Sequence, residues 1–283
     1  MSRKNVPTFR KNLWKSGSRR RSAASPSGRN LKLEIEYDGT NYCGWQVQRH
    51  NKHKRSIQEV LEKALQKILQ EKIRIIASGR TDAGVHAKEQ VASFRTGSAL
   101  PITNFINGLN HYLPADIAVK AAYRVDDSFN VRHDALSREY SYYILNRPTR
   151  SPMREAFSHL VSSPLDIGAM NQASQALIGE HDFASFAGRN GASIKSTVRR
   201  VFRAEIERDG ELVIFNMVAN SFLLHQVRNT VGALIRVGLG KMSVDEFHSL
   251  VEVQKPAMAG PTAPACGLCL TRINYPSPLG GMQ

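Results

Sequence analysis

The residues best suited to chemistry lie in one short segment, residues 78–87, which reads Ser-Gly-Arg-Thr-Asp-Ala-Gly-Val-His-Ala. Asp82 supplies a carboxylate that can act as a nucleophile when ionised, and the small residues around it let another molecule approach the backbone closely. Glycine loops with one Asp are common and usually structural, so the bare pattern does not establish a site. A metal site would use Asp82 and His86, but no nearby acidic or His cluster completes the coordination shell.

Arg228 is a second candidate, because it follows a stretch, residues 212–227, that holds no Asp, Glu, Lys or Arg. The helix around it has an apolar face, so we expect the guanidinium to be partly buried. An unpaired buried charge is costly, and the side chain then needs a carboxylate partner. Asp82 is one candidate, and a neighbouring guanidinium would favour the charged form of a carboxylate. Pairing with Glu205 or Glu207, or snorkelling to solvent, fits the spacing equally well.

Tyrosines on one predicted strand, residues 138–145, form a third group. Tyr140, Tyr142 and Ile144 share one face of this strand, and Tyr143 lies on the other. A tyrosine on such a strand is usually part of the core, but its ring could also stack on a nucleobase.

The rest of the pattern predicts the elements that position these residues. Strands are expected over residues 31–37, 73–77, 90–94, 117–124, 138–145, 198–207, 211–218 and 266–273. Helices are expected over residues 57–69, 101–112, 166–178 (stopped by Gly179) and 222–237. A capping box at Ser56–Glu59 precedes the first of them, and a second capping box at Ser243–Glu246 opens a fifth helix. This order predicts an α+β protein with two halves, each a sheet with helices packed on it.

Three cysteines, Cys43, Cys266 and Cys269, cannot build a disulfide framework and fit a reducing compartment. Cys266 and Cys269 form a CxxC pair, but a zinc site needs two more ligands and none is nearby. We therefore interpret both as small apolar residues of the strand at 266–273.

Charge is concentrated at the N-terminus. The 283 residues include 39 Lys and Arg against 24 Asp and Glu, a formal charge of +15 that favours a polyanionic partner. Residues 1–30 hold nine of the basic residues and no acid, which predicts a disordered basic arm and leaves +6 for the remainder. No apolar run reaches the roughly 18 residues of a membrane span, and we expect a soluble, cytoplasmic protein. An acid-free, Arg- and Ser-rich arm is also typical of organelle transit peptides, so targeting stays open.

Taken together, these segments resemble the tRNA pseudouridine synthase A family. The resemblance is carried by residues 37–46, 79–87, 129–132, 137–140, 181–186, 220–229 and 263–268, in the family's order, and the block at 79–87 is highly specific. It implies a two-lobed α+β pseudouridine synthase fold, each lobe an antiparallel or mixed sheet with helices, the lobes meeting at an active-site cleft. The expected division is an arm at 1–30, a lobe carrying the nucleophile at 31–148, a second lobe at 149–275 and a flexible tail at 276–283.

The resemblance implies an isomerase that converts uridine to pseudouridine in the anticodon stem-loop of tRNA, at tRNA positions 38, 39 and 40. The N-glycosidic bond breaks, the base rotates, and C5 of the base joins the sugar. Asp82 matches the family's nucleophile, and attack on the sugar C1′ or on the base C6 both stay open. No metal and no organic cofactor are implied. The expected partners are tRNA and a second copy of the chain, with no membrane.

The same resemblance assigns the other site residues. Tyr140 matches the tyrosine that stacks on the target base and could assist proton transfer, and Arg228 matches the buried basic residue that pairs with the nucleophile. Arg80 matches an arginine that holds phosphate or fills the space of the extruded base, because a paired base hides its glycosidic bond. Thr81 and His86 are further candidate substrate-binding residues.

Two alternatives are weighed against this assignment. A non-catalytic tRNA-binding relative would have lost the Asp, the Tyr or the Arg, and all three are present. A relative with the same chemistry and a different target uridine would keep them. The chain departs from the family pattern at the arm and at Cys43, Cys266 and Gln226, none of which touches Asp82.

Overall fold

The computed structural model describes residues 28–48, 54–188, 196–253, 255 and 258–276. Nearly all of the predicted basic arm and of the predicted tail lies outside the described residues, so both stay predictions.

The described chain folds into one mixed sheet with five α-helices. The strands are β1 (Arg29–Tyr37), β2 (Ile76–Ala77), β3 (His86–Thr96), β4 (Ile117–Val125), β5 (Ser137–Asn146), β6 (His159–Val161), β7 (Gly179–Asp182), β8 (Val198–Asp209), β9 (Leu212–Ala219) and β10 (Leu268–Asn274). The helices are α1 (Ile57–Leu69), α2 (Ile102–Tyr112), α3 (Ile167–Gln175), α4 (Gln226–Gly238) and α5 (Val244–Glu252). The sheet order is β4-β1-β3-β10-β5-β9-β8-β7, with β2 paired to β3 and β6 to β5. The predicted α+β class is confirmed.

β1 shows how the alternation in the sequence builds the core. Leu31, Leu33 and Ile35 are fully buried, whereas Glu34 and Glu36 occupy the opposite face and keep access to water. Burial of the apolar face removes hydrocarbon from water and fixes the register of the strand between β3 and β4.

The two predicted caps start α1 and α5. The hydroxyl of Ser56 accepts a hydrogen bond from the backbone N–H of Glu59 at 3.2 Å. Ser243 and Glu246 form a reciprocal capping box, with bonds of 3.0 and 2.6 Å. α1 packs on α2 and α2 on β4, whereas α3 packs on α4, α5 and β8.

β10 joins the strands of the first half of the chain to those of the second. It pairs parallel to β3, with Cys269 opposite His86, and antiparallel to β5, with Leu270 opposite Tyr140. The sheet therefore continues without a break between the two groups of strands. The predicted boundary between residues 148 and 149 stays a prediction.

Three element bounds differ from the expectation at the site itself. The strand predicted at 90–94 begins at His86 and ends at Thr96, because pairing with β1 continues on both sides of the predicted range. Of the strand predicted at 73–77, only Ile76–Ala77 pairs, because just these two residues meet β3. The helix predicted from residue 222 begins at Gln226, since residues 224–225 form a turn. This turn carries side chains into the cleft described below.

Two further predictions were wrong in detail. α3 ends at Gln175, and Gly179, expected to stop that helix, instead begins β7 with a φ of +117°. Cys266 lies in a short 3₁₀ helix, Ala265–Gly267, ahead of β10, so only Cys269 belongs to the strand.

Candidate active site

Asp82 lies in the loop between β2 and β3, and two glycines after β1 let the neighbouring loop pack directly against it. A Cβ atom at Gly39 would lie 2.0 Å from the carbonyl oxygen of Val85. Gly44 has a φ of +97°, and a Cβ there would lie 2.6 Å from the carbonyl oxygen of Thr81. Neither position accepts a side chain without displacing the loop. Gly39 and Gly44, the glycines of the segment at residues 37–46, are thus required for the close packing of the two loops.

Hydrogen bonds hold the loop on both sides of Asp82. The backbone N–H of Trp45 donates to the carbonyl of Thr81 at 3.1 Å, and the N–H of Val85 donates to the carbonyl of Asp82 at 3.2 Å. The hydroxyl groups of Tyr37 and Thr81 lie 2.8 Å apart. Burial raises the pKa of Tyr37 well above its ordinary value, so its hydroxyl stays protonated. The carboxylate is therefore presented from a fixed backbone.

Arg228 reaches this loop from the first turns of α4. Its Nη1 lies 3.3 Å from Oδ2 of Asp82, and its Nε donates to the carbonyl of Ala263 at 2.7 Å. The side chains of Arg228 and Asp82 are 16% and 24% exposed, so the ion pair is largely shielded from water. A Cβ atom at Gly232 would lie 2.0 Å from the carbonyl of Pro261, which shows how closely the segment before β10 crosses α4.

The alternative partners of Arg228 are occupied elsewhere. Glu205 pairs with Arg203 at 3.4 Å, and Glu207 accepts a hydrogen bond from Asn216 at 3.0 Å. Of the candidate partners that the sequence left open, the structure selects Asp82.

Tyr140 forms part of the wall beside the carboxylate. It is 9% exposed on β5, and its ring meets that of Phe222 edge to face with centroids 5.1 Å apart. Burial, with smaller contributions from Tyr37 and Asp82, raises the pKa of Tyr140 well above its ordinary value. The phenol is consequently protonated near neutral pH and can donate a hydrogen bond.

A cleft of about 500 Å³ brings most of the predicted site residues together. Its wall includes the predicted residues Arg80, Thr81, Asp82, Tyr140 and Arg228, and also Arg132, Arg138, Phe222, Leu224 and His225. Four arginines against a single carboxylate make this wall strongly positive. The cleft can therefore attract an anionic ligand, and the carboxylate of Asp82 in its wall can approach that ligand.

His86 does not line this cleft. Its Nδ1 lies 3.1 Å from the carboxylate of Asp38 and 3.1 Å from the backbone nitrogen of Gly39, and its Nε2 lies 3.2 Å from the carbonyl of Cys266. The ring is buried and links its own strand to the backbone of Gly39 and to that of Cys266, beside the loop that carries Asp82. Its substrate-binding role stays a prediction.

Arg138 is a cleft residue to which the sequence analysis gave no role. Its guanidinium donates to the carbonyl groups of Ala135, Asn220, Arg132 and Ser78, at 2.7 to 3.3 Å. Burial lowers its pKa. Every residue has a backbone carbonyl, so the spacing of residue types does not show which carbonyls an arginine will bind. These hydrogen bonds of Arg138 could therefore not be predicted from the sequence.

His225 is the second residue without a predicted role. Its Nε2 lies 3.5 Å from Oδ2 of Asp82, and its φ is +61°. The one feature of the sequence that could have indicated a role for His225 is its position three residues before Arg228. The residue lies in the turn that had been predicted as helix.

The described residues contain no grouped metal ligands and no helix that could span a membrane. Across residues 28–276, apart from the gaps given above, no three His, Cys, Asp or Glu side chains are grouped to hold a metal ion. In the same part of the chain no helix is long and apolar enough to cross a bilayer. Cys43 and Cys269 are buried, and burial raises the pKa of Cys269 to about 11.

Comparison with known proteins adds a family to this geometry. The model of a family described as tRNA pseudouridine synthase matches residues 34–134 and 173–276. A protein of Pelobacter propionicus named tRNA pseudouridine synthase A is 45% identical over 247 residues, which are 87% of this chain and 100% of that protein. Proteins of the same name from Geotalea uraniireducens and Geobacter sulfurreducens are 45% and 44% identical over the same shares of both chains.

Proposed function

The chain belongs to the family of tRNA pseudouridine synthases, and from this premise we propose that Asp82 is the nucleophile that isomerises uridine in the anticodon stem-loop of tRNA. The observation that carries the assignment is the shielded ion pair of 3.3 Å between Asp82 and Arg228 at the base of a positive cleft. A carboxylate nucleophile has to be ionised, and a neighbouring guanidinium stabilises its charge.

The reaction needs one bond broken and one bond formed at the same sugar carbon. The bond from C1′ to N1 of the base breaks, the bond from C1′ to C5 forms, the proton on C5 leaves, and N1 takes up a proton, so that the product has the same atoms as the substrate. Asp82 attacks either C1′ or C6, and in both cases its carboxylate becomes an ester that is later released. No electron is gained or lost overall, so the chemistry is served by a carboxylate and proton transfers.

Tyr140 supplies a flat wall for the base. Its ring lies between the core and the cleft, where an extruded uracil would stack on it. Because its pKa is raised, the hydroxyl acts first as a hydrogen-bond donor. It accepts a proton only if the reaction transfers its own proton at the same time.

The arginines of the cleft account for RNA binding. Arg80 and Arg132 are exposed at the cleft and suit phosphate oxygens. A target uridine in a stem has to leave its base pair before its glycosidic bond can be reached, and in this proposal Arg80 fills the space that the base leaves.

Substitution Asp82→Ala tests the assignment. We expect no pseudouridine at tRNA positions 38, 39 and 40 in unmodified tRNA, with binding of tRNA retained. Asp127→Ala, which removes an exposed carboxylate outside the cleft, is the matched control and should leave conversion unchanged. Conversion by Asp82→Ala at the wild-type rate would show that the nucleophile is another residue. Mapping pseudouridines in tRNA from a deletion strain identifies the target positions.

The family resemblance also supports a homodimer and a cytoplasmic location as proposals. Sedimentation of the full chain with and without tRNA tests the first. Imaging of the full chain and of a variant lacking residues 1–27 tests the cytoplasmic location. If the arm were a targeting segment, the full chain would lie in an organelle and the shortened variant would not.

A further inference from the structure

His225 contacts the same carboxylate oxygen as Arg228. Its Nε2 lies 3.5 Å from Oδ2 of Asp82, and Nη1 of Arg228 lies 3.3 Å from that oxygen. The shortest contact of each side chain is thus to Oδ2. Both contacts are made to Oδ2, and Oδ1 takes part in neither of them.

The backbone of His225 is unusual in a way that serves this contact. Among the described residues only Gln70 and His225 combine a side chain with a positive φ, at 57° and 61°. Gln70 ends α1, where a left-handed residue is ordinary. His225 instead precedes the first turn of α4, where an extended residue is usual. Strain of this kind persists where the surrounding structure imposes it, and it gathers at functional sites.

Neighbouring groups hold the ring in place. A Cβ atom at Gly188 would lie 3.1 Å from Nδ1 of His225, so the backbone there packs against the imidazole. The N–H of Gly188 donates to the carbonyl of Leu224 at 2.9 Å, and the side-chain oxygen of Gln226 accepts from the N–H of Leu223 at 2.8 Å. The turn before α4 therefore fixes the direction in which His225 points.

We propose that His225 is a positioning residue for the nucleophile: its Nε2, 3.5 Å from Oδ2 of Asp82, holds that oxygen together with Arg228 and leaves Oδ1 free to attack. The inference rests on the proposed role of Asp82. The other charged groups that line the same cleft are Arg80, Arg132 and Arg138, and among the described residues only His225 and Arg228 form an ion-pair contact with the carboxylate of Asp82.

Substitution His225→Gly isolates the side chain, because glycine adopts a positive φ without strain. Gln70→Gly is the matched control, since it makes the same backbone change at the end of α1, away from the cleft. The measurement is release of tritium from tRNA labelled at C5 of uridine, under single turnover with enzyme in excess. Binding of tRNA is measured separately, and imidazole is added to a second set of reactions.

We expect His225→Gly to lower the rate constant about tenfold to a hundredfold, the effect of a misplaced reacting group. The Kd for tRNA should be unchanged, and imidazole should restore part of the rate, since the side chain is 37% exposed at the cleft. Gln70→Gly should match the wild type with and without imidazole. A merely structural role for His225 would not respond to imidazole.

A wild-type rate for His225→Gly, or a loss that imidazole does not restore, would overturn the proposal. If His225→Gly melts below the assay temperature, His225→Asn replaces it, because Asn tolerates the left-handed region. A wild-type rate for that variant would overturn the proposal equally. Failure of the proposed function looks different, because Asp82→Ala would then release tritium as fast as the wild type whatever His225 does.

Discussion

Arg228 and Asp82 are separated by 146 residues in the chain and by 3.3 Å in the structure. Asp82 comes from the loop before β3 and Arg228 from α4, which follows β9, so the ion pair joins the first and second halves of the chain across the cleft. The site therefore forms only when the loop that carries Asp82 and the helix that carries Arg228 are both folded and in contact. Several variants test what each part contributes.

Arg228→Gln removes the charge beside the nucleophile and keeps much of the side-chain volume. We expect conversion of uridine to fall about a hundredfold or more, because stabilisation of the carboxylate at the reacting centre is lost. Unfolding should become easier by about 1–3 kcal/mol, between the values for surface and buried pairs. Urea unfolding and single-turnover kinetics measure the two effects. Arg203→Gln removes a charge from an exposed ion pair and should change neither the rate of conversion nor the free energy of unfolding. If Arg203→Gln lowered both as much as Arg228→Gln does, the loss would be a general effect of charge.

Tyr140→Phe separates the hydroxyl from the ring. The stacking surface stays, so we expect the Kd for tRNA to be preserved while the rate of conversion falls, because a hydrogen-bond donor is lost at the reacting base. Tyr143→Phe makes the same change on the other face of β5 and should have no effect on conversion. If Tyr140→Phe reacts as fast as the wild type, the hydroxyl has no part in proton transfer.

Gly44→Ala tests the packing of the loop that carries the nucleophile. The new Cβ would lie 2.6 Å from the carbonyl of Thr81 in a backbone with φ of +97°, so either this residue or the Asp82 loop has to move. We expect the free energy of unfolding to fall by about 1–3 kcal/mol. We also expect the rate of uridine conversion to fall below that of Gly97→Ala at a temperature where both variants are folded. Gly97→Ala is the control, because a Cβ there meets nothing within 4 Å. Thermal melting and conversion assays should separate the two variants clearly.

Deletion of residues 1–27 tests the basic arm. Each phosphate contact contributes about 0.9 to the slope of log K against log salt, so loss of such contacts should weaken tRNA binding at low salt and flatten the slope. The deletion stops there because β1 already begins at Arg29. An arm of equal length made of Ser and Gly controls for chain length. An unchanged slope would mean that the arm does not contact RNA, while the choice of uridine should be the same in every case.

Local patterns in the sequence predicted most of the elements, for identifiable reasons. The alternation of Leu31, Leu33 and Ile35 and the cap at Ser243 depend on residues close in the chain, and β1 and α5 form where they were expected. β6 and β7, with three and four residues, are too short to show an alternation. The place of β10 between β3 and β5 depends on pairing with distant strands, which no local pattern records.

For the site, the sequence predicted the residues better than their contacts. It offered Asp82 as one partner of Arg228 among several, and the structure selected it because the turns around Ala263 and Asp82 face each other. Arg138 was passed over because its partners are backbone carbonyls. His225 was passed over because the residue was expected inside a helix, whereas its positive φ turns the ring toward the carboxylate.

The position of β10 also sets the order in which the molecule can be completed during synthesis. Among the described strands β10 is the last to leave the ribosome, yet it lies in the middle of the sheet between β3 and β5. Until it is synthesised, no strand joins β3, which follows the Asp82 loop, to β5, which carries Tyr140. A nascent chain that stops before residue 268 therefore contains Asp82, Tyr140 and Arg228 but lacks the strand that joins β3 to β5 and supplies Leu268 to the cleft. We expect the cleft to be complete only after β10 has been synthesised.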